Sequence, residues 1–328
     1  MKKIISTLLL CVMAAASCTA QTASEKTPGK KQESATVYFT SEITPESLLA
    51  IFKKLGVEPQ GNVAVKISTG ESSQSNHLSP ELIAMLVHDV NGTLVECNTA
   101  YPGNRNTTEA HRRAIAERGY DKIATVDIMD ADGSMELPMQ DSTYFADNLV
   151  GKHLADYDFM INLAHFKGHQ MGGFGGVLKN QSIGVASSAG KTRIHTAGKT
   201  SEPDQLWDNI PEQDQFLESM AGAAQSVDTY FKGKKGIVYI NVMNNMSVDC
   251  DCNGHPEQAK LKDMGILASL DPVALDQACL DMVFNHTASE GDDNRPLIER
   301  INSRHGTHIV DYAEKIGLGT KKYVIVNL

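Results

Sequence analysis

Short runs of β-branched and aromatic residues alternate along this chain with segments in which apolar residues recur every three or four positions. The first pattern is typical of buried strands and the second of amphipathic helices. It predicts strands at 37–39, 62–68, 92–98, 124–128, 158–164, 236–243, 265–270 and 323–326, and helices at 44–55, 79–90, 107–119, 213–231, 271–284 and from 296 onward. Such regular alternation predicts an α/β fold, in which a mainly parallel sheet is flanked by helices.

The first residues have a different pattern. Two lysines precede an apolar run at 4–16 that is too short to span a bilayer, and small residues lead to Cys18. We interpret residues 1–20 as a signal peptide with an acylation site at Cys18, cleavage near Ala20 being the alternative. Residues 21–35 are polar and predict a flexible tether, and 36–328 predict one large α/β domain. The chain is therefore expected to be exported to the periplasm or cell envelope, held there by a lipid anchor.

The formal net charge of the whole chain is -10. This charge argues against a nucleic-acid partner and against electrostatic adhesion to anionic lipid. Membrane contact is therefore expected only through the anchor.

The segment HFKGHQMGGFGGVLKN, from His165 to Asn180, contains five glycines, two histidines and two lysines. It follows a predicted strand, and ligands in open parallel sheets bind beyond the carboxyl ends of strands. Further basic residues follow the segment in an otherwise acidic protein, which indicates an anionic ligand. The alternative is a solvated face on a mobile loop. The candidate ligand-binding lysines are Lys167, Lys179 and Lys191, with His169 and His195 as candidate catalytic bases.

Gly190-Lys191-Thr192 has the appearance of the end of a nucleotide-binding P-loop. The spacing does not fit, because the first glycine of that motif would fall at Val185. We therefore expect no nucleotide cofactor.

Cys250 and Cys252 follow the strand predicted at 236–243, so they too lie at a carboxyl end. Two such sulfurs can bind a soft metal ion or contribute to an iron–sulfur cluster. The alternatives are free thiols or a disulfide, because export brings an oxidising compartment. A bridge between the two closes a small ring, so a bridge to Cys97 or Cys279 is expected instead.

Asp271 and Pro272 are explained by helix initiation alone. Asp276 lies in the first turns of that helix, on the same face as Cys279. Its carboxylate is a candidate general base, and a solvated carboxylate that favours the helix dipole is the alternative.

These blocks together resemble the domain of unknown function 362 family. The resemblance is carried in order by Phe166-Lys167-Gly168-His169, Leu178-Lys179-Asn180, Lys191 with His195, Cys250-Asp251-Cys252 and Asp271-Pro272-Val273-Ala274. Lys66, which ends the strand NVAVK, and Asn104-Arg105-Asn106 are also similar to it. The resemblance implies that Lys66 and Asn180 belong to the ligand site, and it implies metal or iron–sulfur chemistry. The Cys-x-x-Cys-x-x-Cys run of many relatives does not occur in this sequence.

We therefore expect one site that binds a metal ion or iron–sulfur centre together with a small anionic molecule. The function predicted first is a metal-dependent enzyme, with redox chemistry as its expected reaction type. Two other functions stay open, namely a surface protein that binds a ligand or metal without catalysis and a structural domain whose cysteines pair.

Overall fold

The computed structural model describes residues 34–328. The predicted signal peptide, the acylation site at Cys18 and nearly all of the predicted tether lie outside these residues. The strands are β1 (Ala35–Thr40), β2 (Val63–Lys66), β3 (Thr93–Glu96), β4 (Val126–Ile128), β5 (Ser134–Pro138), β6 (Asp147–Gly151), β7 (Phe159–His165), β8 (Lys167–His169), β9 (Gly173–Gly175), β10 (Gly236–Met243), β11 (Gly265–Ser269) and β12 (Tyr323–Asn327). The helices are α1 (Pro45–Lys54), α2 (Pro80–Asp89), α3 (Thr108–Arg118), α4 (Val177–Ser182), α5 (Ser188–His195), α6 (Gln213–Lys232), α7 (Pro272–Asn285), α8 (Arg295–Ser303) and α9 (His308–Lys315).

Eight of the strands form one sheet in the order β12-β1-β11-β10-β7-β2-β3-β4. All its neighbouring pairs are parallel except the two that involve β11, which runs antiparallel to both β1 and β10. The predicted fold class, a mainly parallel sheet flanked by helices, is confirmed.

Both faces of the sheet are covered, as the apolar character of its central strands requires. Along β10, Val238 and Ile240 belong to a core with α1 and α2, whereas Ile237 and Tyr239 face the opposite core with α6 and α7. This alternation follows from the two-residue period of a strand. The described residues pack as one compact unit.

Three helices begin where the sequence predicts, because side chains cap their first turns. The Thr44 hydroxyl accepts a hydrogen bond from the Ser47 backbone N–H at 3.1 Å, and Ser79 accepts from Leu82 at 3.2 Å. Asp271 accepts from two backbone N–H groups at 2.9 Å. In each case proline follows the cap, at a position where its missing N–H costs no intrahelical bond.

The glycine-rich segment departs from its predicted loop. It folds as the hairpin of β8 and β9, followed by α4 and α5. The hairpin of β5 and β6 and the helix α9 were also not predicted. The pairing of β5 with β6 is local, and α9 has an apolar face that packs in the core with α6, so both carry a local signal that the sequence analysis missed.

Candidate functional site

A cavity of about 440 Å³ lies at the carboxyl edge of the sheet. The chain runs outward from β2 to β4 and then returns to β7 beside β2, so strand order reverses there, and such a reversal is where ligands bind in open α/β sheets. The residues that line the cavity are Lys66, Ser68, Glu96, Cys97, Thr99, Tyr101, Arg105, His169, Gln170, Met171, Lys179, Asn180, Ile183, Gly184, Lys191, His195, Trp207, Cys250, Cys252 and Arg304.

Asn180 joins the two strands at this reversal. Its side-chain amide donates to the Lys66 carbonyl at 3.1 Å, to Asn162 Oδ1 at 2.7 Å and to the Leu163 carbonyl at 3.3 Å. Its own Oδ1 accepts from Lys66 Nζ at 3.2 Å. In the structure Asn180, predicted to bind ligand, positions β2, β7 and Lys66, and its amide is fully used by protein groups.

Three of the predicted lysines line the cavity, and their surroundings differ. Lys66 Nζ donates to the Ile67 carbonyl and to Asn180, and burial lowers its pKa to about 8. Lys191 Nζ donates to the Ala186 carbonyl at 2.6 Å. Lys179 Nζ has no hydrogen-bond or ion-pair partner among residues 34–328, and burial together with the charge of Lys167 lowers its pKa to about 7. Among the three described lysines that line the cavity, Lys179 is therefore the one that a ligand can reach without breaking an existing interaction.

Lys167 does not line the cavity, contrary to the expected convergence of Lys167 and Lys179. Its Nζ lies 2.6 Å from Asp251 Oδ2, and His165 Nδ1 lies 2.8 Å from the other oxygen of the same carboxylate. Burial alone would raise the pKa of Asp251, but Lys167 and His165 outweigh it and hold that pKa well below its usual range. The buried Asp251 thus neutralises Lys167 and anchors the loop that carries the two cysteines.

Both candidate catalytic histidines line the cavity, and Nδ1 is a hydrogen-bond acceptor in one ring and a donor in the other. His169 Nδ1 accepts from the backbone N–H groups of Met171 and Gly172, at 3.2 and 2.8 Å, so the proton of a neutral ring is on Nε2. His195 Nδ1 donates to the Lys191 carbonyl at 2.7 Å, which leaves a lone pair on its Nε2. Burial lowers the pKa of His195 to about 4 and that of His169 well below its usual range, so both rings are neutral at pH 7. One ring is therefore a donor and the other an acceptor.

Cys250 and Cys252 are joined to each other by a disulfide on the cavity wall. The expected bridge to Cys97 or Cys279 is wrong, because both of those thiols are free and buried. Cys97 donates to the Val185 carbonyl at 3.2 Å, and Cys279 lies 3.4 Å from the amide of Asn241. A His169 nitrogen and the two bridged sulfurs lie within 4.8 Å of one another, so the predicted metal pair is next to a third potential ligand.

Asp276, predicted as a general base, does not line the cavity. Its carboxylate accepts from the backbone N–H groups of Val177 and Leu178, at 2.9 and 3.0 Å, and from Asn241 Nδ2 at 2.7 Å. It therefore caps α4, and it occupies the helix end where backbone N–H groups would otherwise face an anion. Burial raises its pKa to about 6.

A buried ion cluster behind the lysines was not predicted. Glu96, the last residue of β3, faces Arg105 at 3.1 Å and His111 at 3.0 Å, and Arg105 also contacts Glu71 at 3.1 Å. Burial would raise the pKa of Glu96, but Arg105 and His111 hold it well below its usual range. The available signal in the sequence was a glutamate that ends the buried strand β3, next to β2, which ends in Lys66.

Two glycines, one in the segment and one just after it, lie closely against protein backbone. A Cβ on Gly168 would lie 2.3 Å from the Val248 carbonyl oxygen, and one on Gly184 would lie 2.2 Å from the Asn180 carbonyl oxygen. These positions bring β8 against the cysteine loop and α4 against Lys66. The glycines therefore permit close packing of the cavity wall, in addition to any contact with a ligand.

A family model described as Domain of unknown function (DUF362) matches residues 63–281. The chain belongs to this family. The match covers the residues on which the resemblance was based, from Lys66 to Asp276. No curated protein matches this DUF362 chain significantly.

Two solved structures are similar in fold to this DUF362 chain. One is a crystal structure of a Thermotoga maritima protein, with a TM-score of 0.43, 12% identity and coverage of 71% of this chain and 56% of that one. The other is the lactate racemase apoprotein from Thermoanaerobacterium thermosaccharolyticum, with a TM-score of 0.38, 14% identity and coverage of 66% and 52%. The DUF362 chain thus spans about half the length of these proteins. Within residues 34–328, no helix is both long and apolar enough to cross a membrane.

Proposed function

We propose that the protein is an enzyme that binds a small organic anion in this cavity, next to a sulfur pair that holds a soft metal ion when reduced. One observation carries the proposal. The ammonium group of Lys179 has no partner among the described residues, although it lies on a cavity wall that two neutral histidines and two other lysines also line.

The charge of Lys179, unpaired among the described residues, favours an anionic ligand. Taking an ammonium group out of water without a partner is costly, and Lys179 responds by a pKa of about 7. The carboxylates nearby are already used, because Glu96 serves Arg105 and Asp251 serves Lys167. A bound carboxylate or phosphate would supply the missing charge, and because it would displace water from the cavity, the attraction would be only weakly screened.

The two histidines of the cavity favour catalysis over simple binding. His195 presents a lone pair and His169 an N–H, and both are neutral at pH 7. Groups of this kind can remove a proton from one part of a bound molecule and donate one to another. A protein that only binds an anion has no need of an acceptor beside its cations.

The metal part of the proposal needs the disulfide to be reduced. An external dithiol would convert the Cys250–Cys252 bridge to two thiols and would itself become a disulfide. Metal binding would then release the two thiol protons. A single ion is favoured over an iron–sulfur cluster, because the other two cysteines of the described chain are buried and bonded elsewhere. His169 would have to give up its backbone hydrogen bonds to become a ligand through Nδ1, so the sulfurs are the primary ligands.

The test of anion binding uses thermal unfolding of the oxidised protein with phosphate, acetate and oxalate as probes. At least one probe should raise the unfolding temperature of the wild type, as any ligand specific to the native state does. Lys179→Met should remove the response, whereas Lys199→Met, a change at an exposed lysine, should keep it. If no anion stabilises the wild type, or if both variants respond alike, the anion site is wrong.

The metal site is tested by anaerobic titration of the reduced protein with Co²⁺. Wild type should show thiolate-to-cobalt absorption at one ion per chain, and the oxidised protein and the Cys250→Ser, Cys252→Ser double variant should not. An identical spectrum from the double variant would contradict the assignment.

Catalysis is separated from simple binding by a proton-exchange measurement. Once a stabilising anion with an acidic C–H bond is found, solvent deuterium should enter it in the presence of wild type and more slowly with His195→Gln. Binding without exchange would favour the non-catalytic ligand- or metal-binding protein instead.

The proposed location is the periplasm or cell envelope, with a lipid anchor at Cys18. The basic start, the short apolar run and the small residues before Cys18 support it.

A further inference from the structure

We propose a second metal site, for a divalent transition ion such as Zn²⁺, formed by Asp214, His305 and His308 at the protein surface. Asp214 lies in the first turn of α6, His305 lies on the turn between α8 and α9, and His308 is the first residue of α9. None of these residues belongs to the cavity wall or to the cysteine loop, so the inference is independent of the proposed function.

The donors already face one another. One ligand atom from each of the three residues lies within 4.8 Å of the other two. His305 Nδ1 is 2.6 Å from Asp214 Oδ1, and the two imidazole rings stack with centroids 5.0 Å apart. Zinc binds nitrogen and oxygen ligands at about 2.0–2.2 Å in a tetrahedral arrangement, which places the ligand atoms roughly 3.4 Å from one another, so His305 Nδ1 and Asp214 Oδ1 must separate by about 1 Å to admit the ion. The side chains of His305 and Asp214 are 58% and 50% exposed, and they can rotate by that amount without disturbing the core.

Glu218, one turn further along α6, completes the geometry. Its Oε1 lies 3.0 Å from His308 Nε2, and its other oxygen accepts from the Tyr144 hydroxyl. The carboxylate is thus held in place on the same side as Asp214. It can serve either as a fourth ligand or as the partner that orients His308.

The backbone at His305 gives a second, independent reason to assign a role. The Gly306 N–H donates to the Ile301 carbonyl at 2.8 Å and the His305 N–H to the Asn302 carbonyl at 3.0 Å, which is a Schellman ending of α8. His305 takes the left-handed position of this motif, with φ of 49°, where glycine is the usual residue. Here the glycine comes one residue later. A histidine at a position that favours glycine motivates a functional role for the imidazole, which the His305→Gly variant tests.

The donor set selects the class of ion. Two imidazoles with one or two carboxylates suit zinc, cobalt or nickel, whereas calcium and magnesium prefer oxygen ligands. Thiolates are not involved, which separates this site from the cysteine pair.

The proposed zinc site lies next to residues that contact or line the cavity. Arg304, which precedes His305, lines the cavity, and the side chain of Gln213, which precedes Asp214, donates to the carbonyls of Arg304 and Met171 at 2.8 Å. A bound ion would therefore join the start of α6 to the turn that carries Arg304.

The test is isothermal titration of oxidised, tag-free protein with ZnCl₂, because the intact disulfide prevents metal binding by Cys250 and Cys252. Wild type should bind one zinc ion per chain. His305→Gly should abolish this binding while unfolding at the same or a higher temperature without metal, because glycine suits the left-handed position. Asp214→Asn should weaken binding by about 10-fold or more, which corresponds to about 1.4 kcal/mol.

His88→Ala is the matched control, since His88 is an exposed histidine on α2 whose Nε2 contacts only the Ile123 carbonyl at 2.7 Å among the described residues. It should bind zinc as wild type does. Absence of saturable zinc binding by the wild type, or undiminished binding by both His305→Gly and Asp214→Asn, would overturn the site.

Discussion

Replacing Lys179 by methionine should make the ligand-free protein more stable, although it removes the proposed anion site. The structure holds this ammonium group at the cavity wall without a partner among the described residues, and its pKa is lowered from 10.5 to about 7 by burial and by Lys167. Methionine has a similar length and carries no charge, so it keeps the packing of the stem and removes the cost of the unpaired ion. Function would thus be maintained at the expense of stability.

The magnitude follows from the pKa difference. Each pKa unit corresponds to about 1.4 kcal/mol, so a shift from 10.5 to about 7 corresponds to a cost of about 4 to 5 kcal/mol at pH 6. This is an upper limit, because the Lys179 side chain is only partly buried and water reaches it through the cavity. We expect a gain in the free energy of unfolding of about 2 to 4 kcal/mol for Lys179→Met at pH 6.

The gain should depend on pH in a defined direction. The native lysine loses its proton near pH 7, whereas the unfolded one keeps it until about 10.5. Between these values the unfolded state binds more protons, so the stability of the wild type rises with pH. The advantage of the variant should therefore be greatest at pH 6 and should decrease steadily towards pH 9.

The assay is urea unfolding of both proteins at pH 6, 7.5 and 9, with the disulfide intact and with no added anion. Lys199→Met, at an exposed position, should change stability by no more than about 0.5 kcal/mol at each pH. A variant that is less stable than wild type at pH 6, or a gain that does not change with pH, would refute the reasoning.

Four further predictions concern other positions. Asp276→Ala should lower the free energy of unfolding by about 3 kcal/mol at pH 7, because it leaves the first backbone N–H groups of α4 and the Asn241 amide without an acceptor. A decrease below about 1 kcal/mol in urea unfolding would contradict the capping role. Burial lowers the pKa of His195 from 6.5 to about 4, so between these pH values the unfolded state binds more protons than the native state. The free energy of unfolding of the wild type should therefore decrease by up to about 3 kcal/mol as the pH falls from 6.5 to 4, and that of His195→Gln should decrease correspondingly less. Gly168→Ala should lower the unfolding temperature by several degrees, because the added Cβ meets the Val248 backbone, and an unchanged temperature would show that the cysteine loop yields easily. Cys18→Ala should move the protein from the membrane to the soluble fraction of cells, and unchanged partition would exclude the lipid anchor.

Most of the regular elements of the main sheet could be predicted from the sequence, because their signals are local. The strand at Gly236–Met243 has the bounds that its apolar run indicates, and capping residues followed by proline mark the starts of α1, α2 and α7. The antiparallel direction of β11 could not be predicted, since a strand's direction depends on its neighbours and on the path of the chain between them.

The location of the candidate site and several of its residues could be predicted, but the hydrogen bonds and ion pairs among those residues could not. The spacing of glycines, lysines and histidines after a strand indicated the carboxyl edge of the sheet, where His169, Lys179, His195, Cys250 and Cys252 do meet. Whether a charged side chain faces the cavity or a protein partner depends on residues far away in sequence.

What the sequence determined by itself is therefore the fold class, the family and part of the set of residues that line the cavity. Tertiary structure alone decided the role of each. Asp251 binds Lys167 across 84 positions of the chain, and Asp276 caps α4 from about 100 positions away, so neither is available to a ligand. Among the described lysines of the cavity wall, Lys179 is left without a partner because the nearby carboxylates are used by other cations. The physical reason is that a charge buried in a protein is governed by its neighbours within a few ångströms, and only the fold brings those neighbours together.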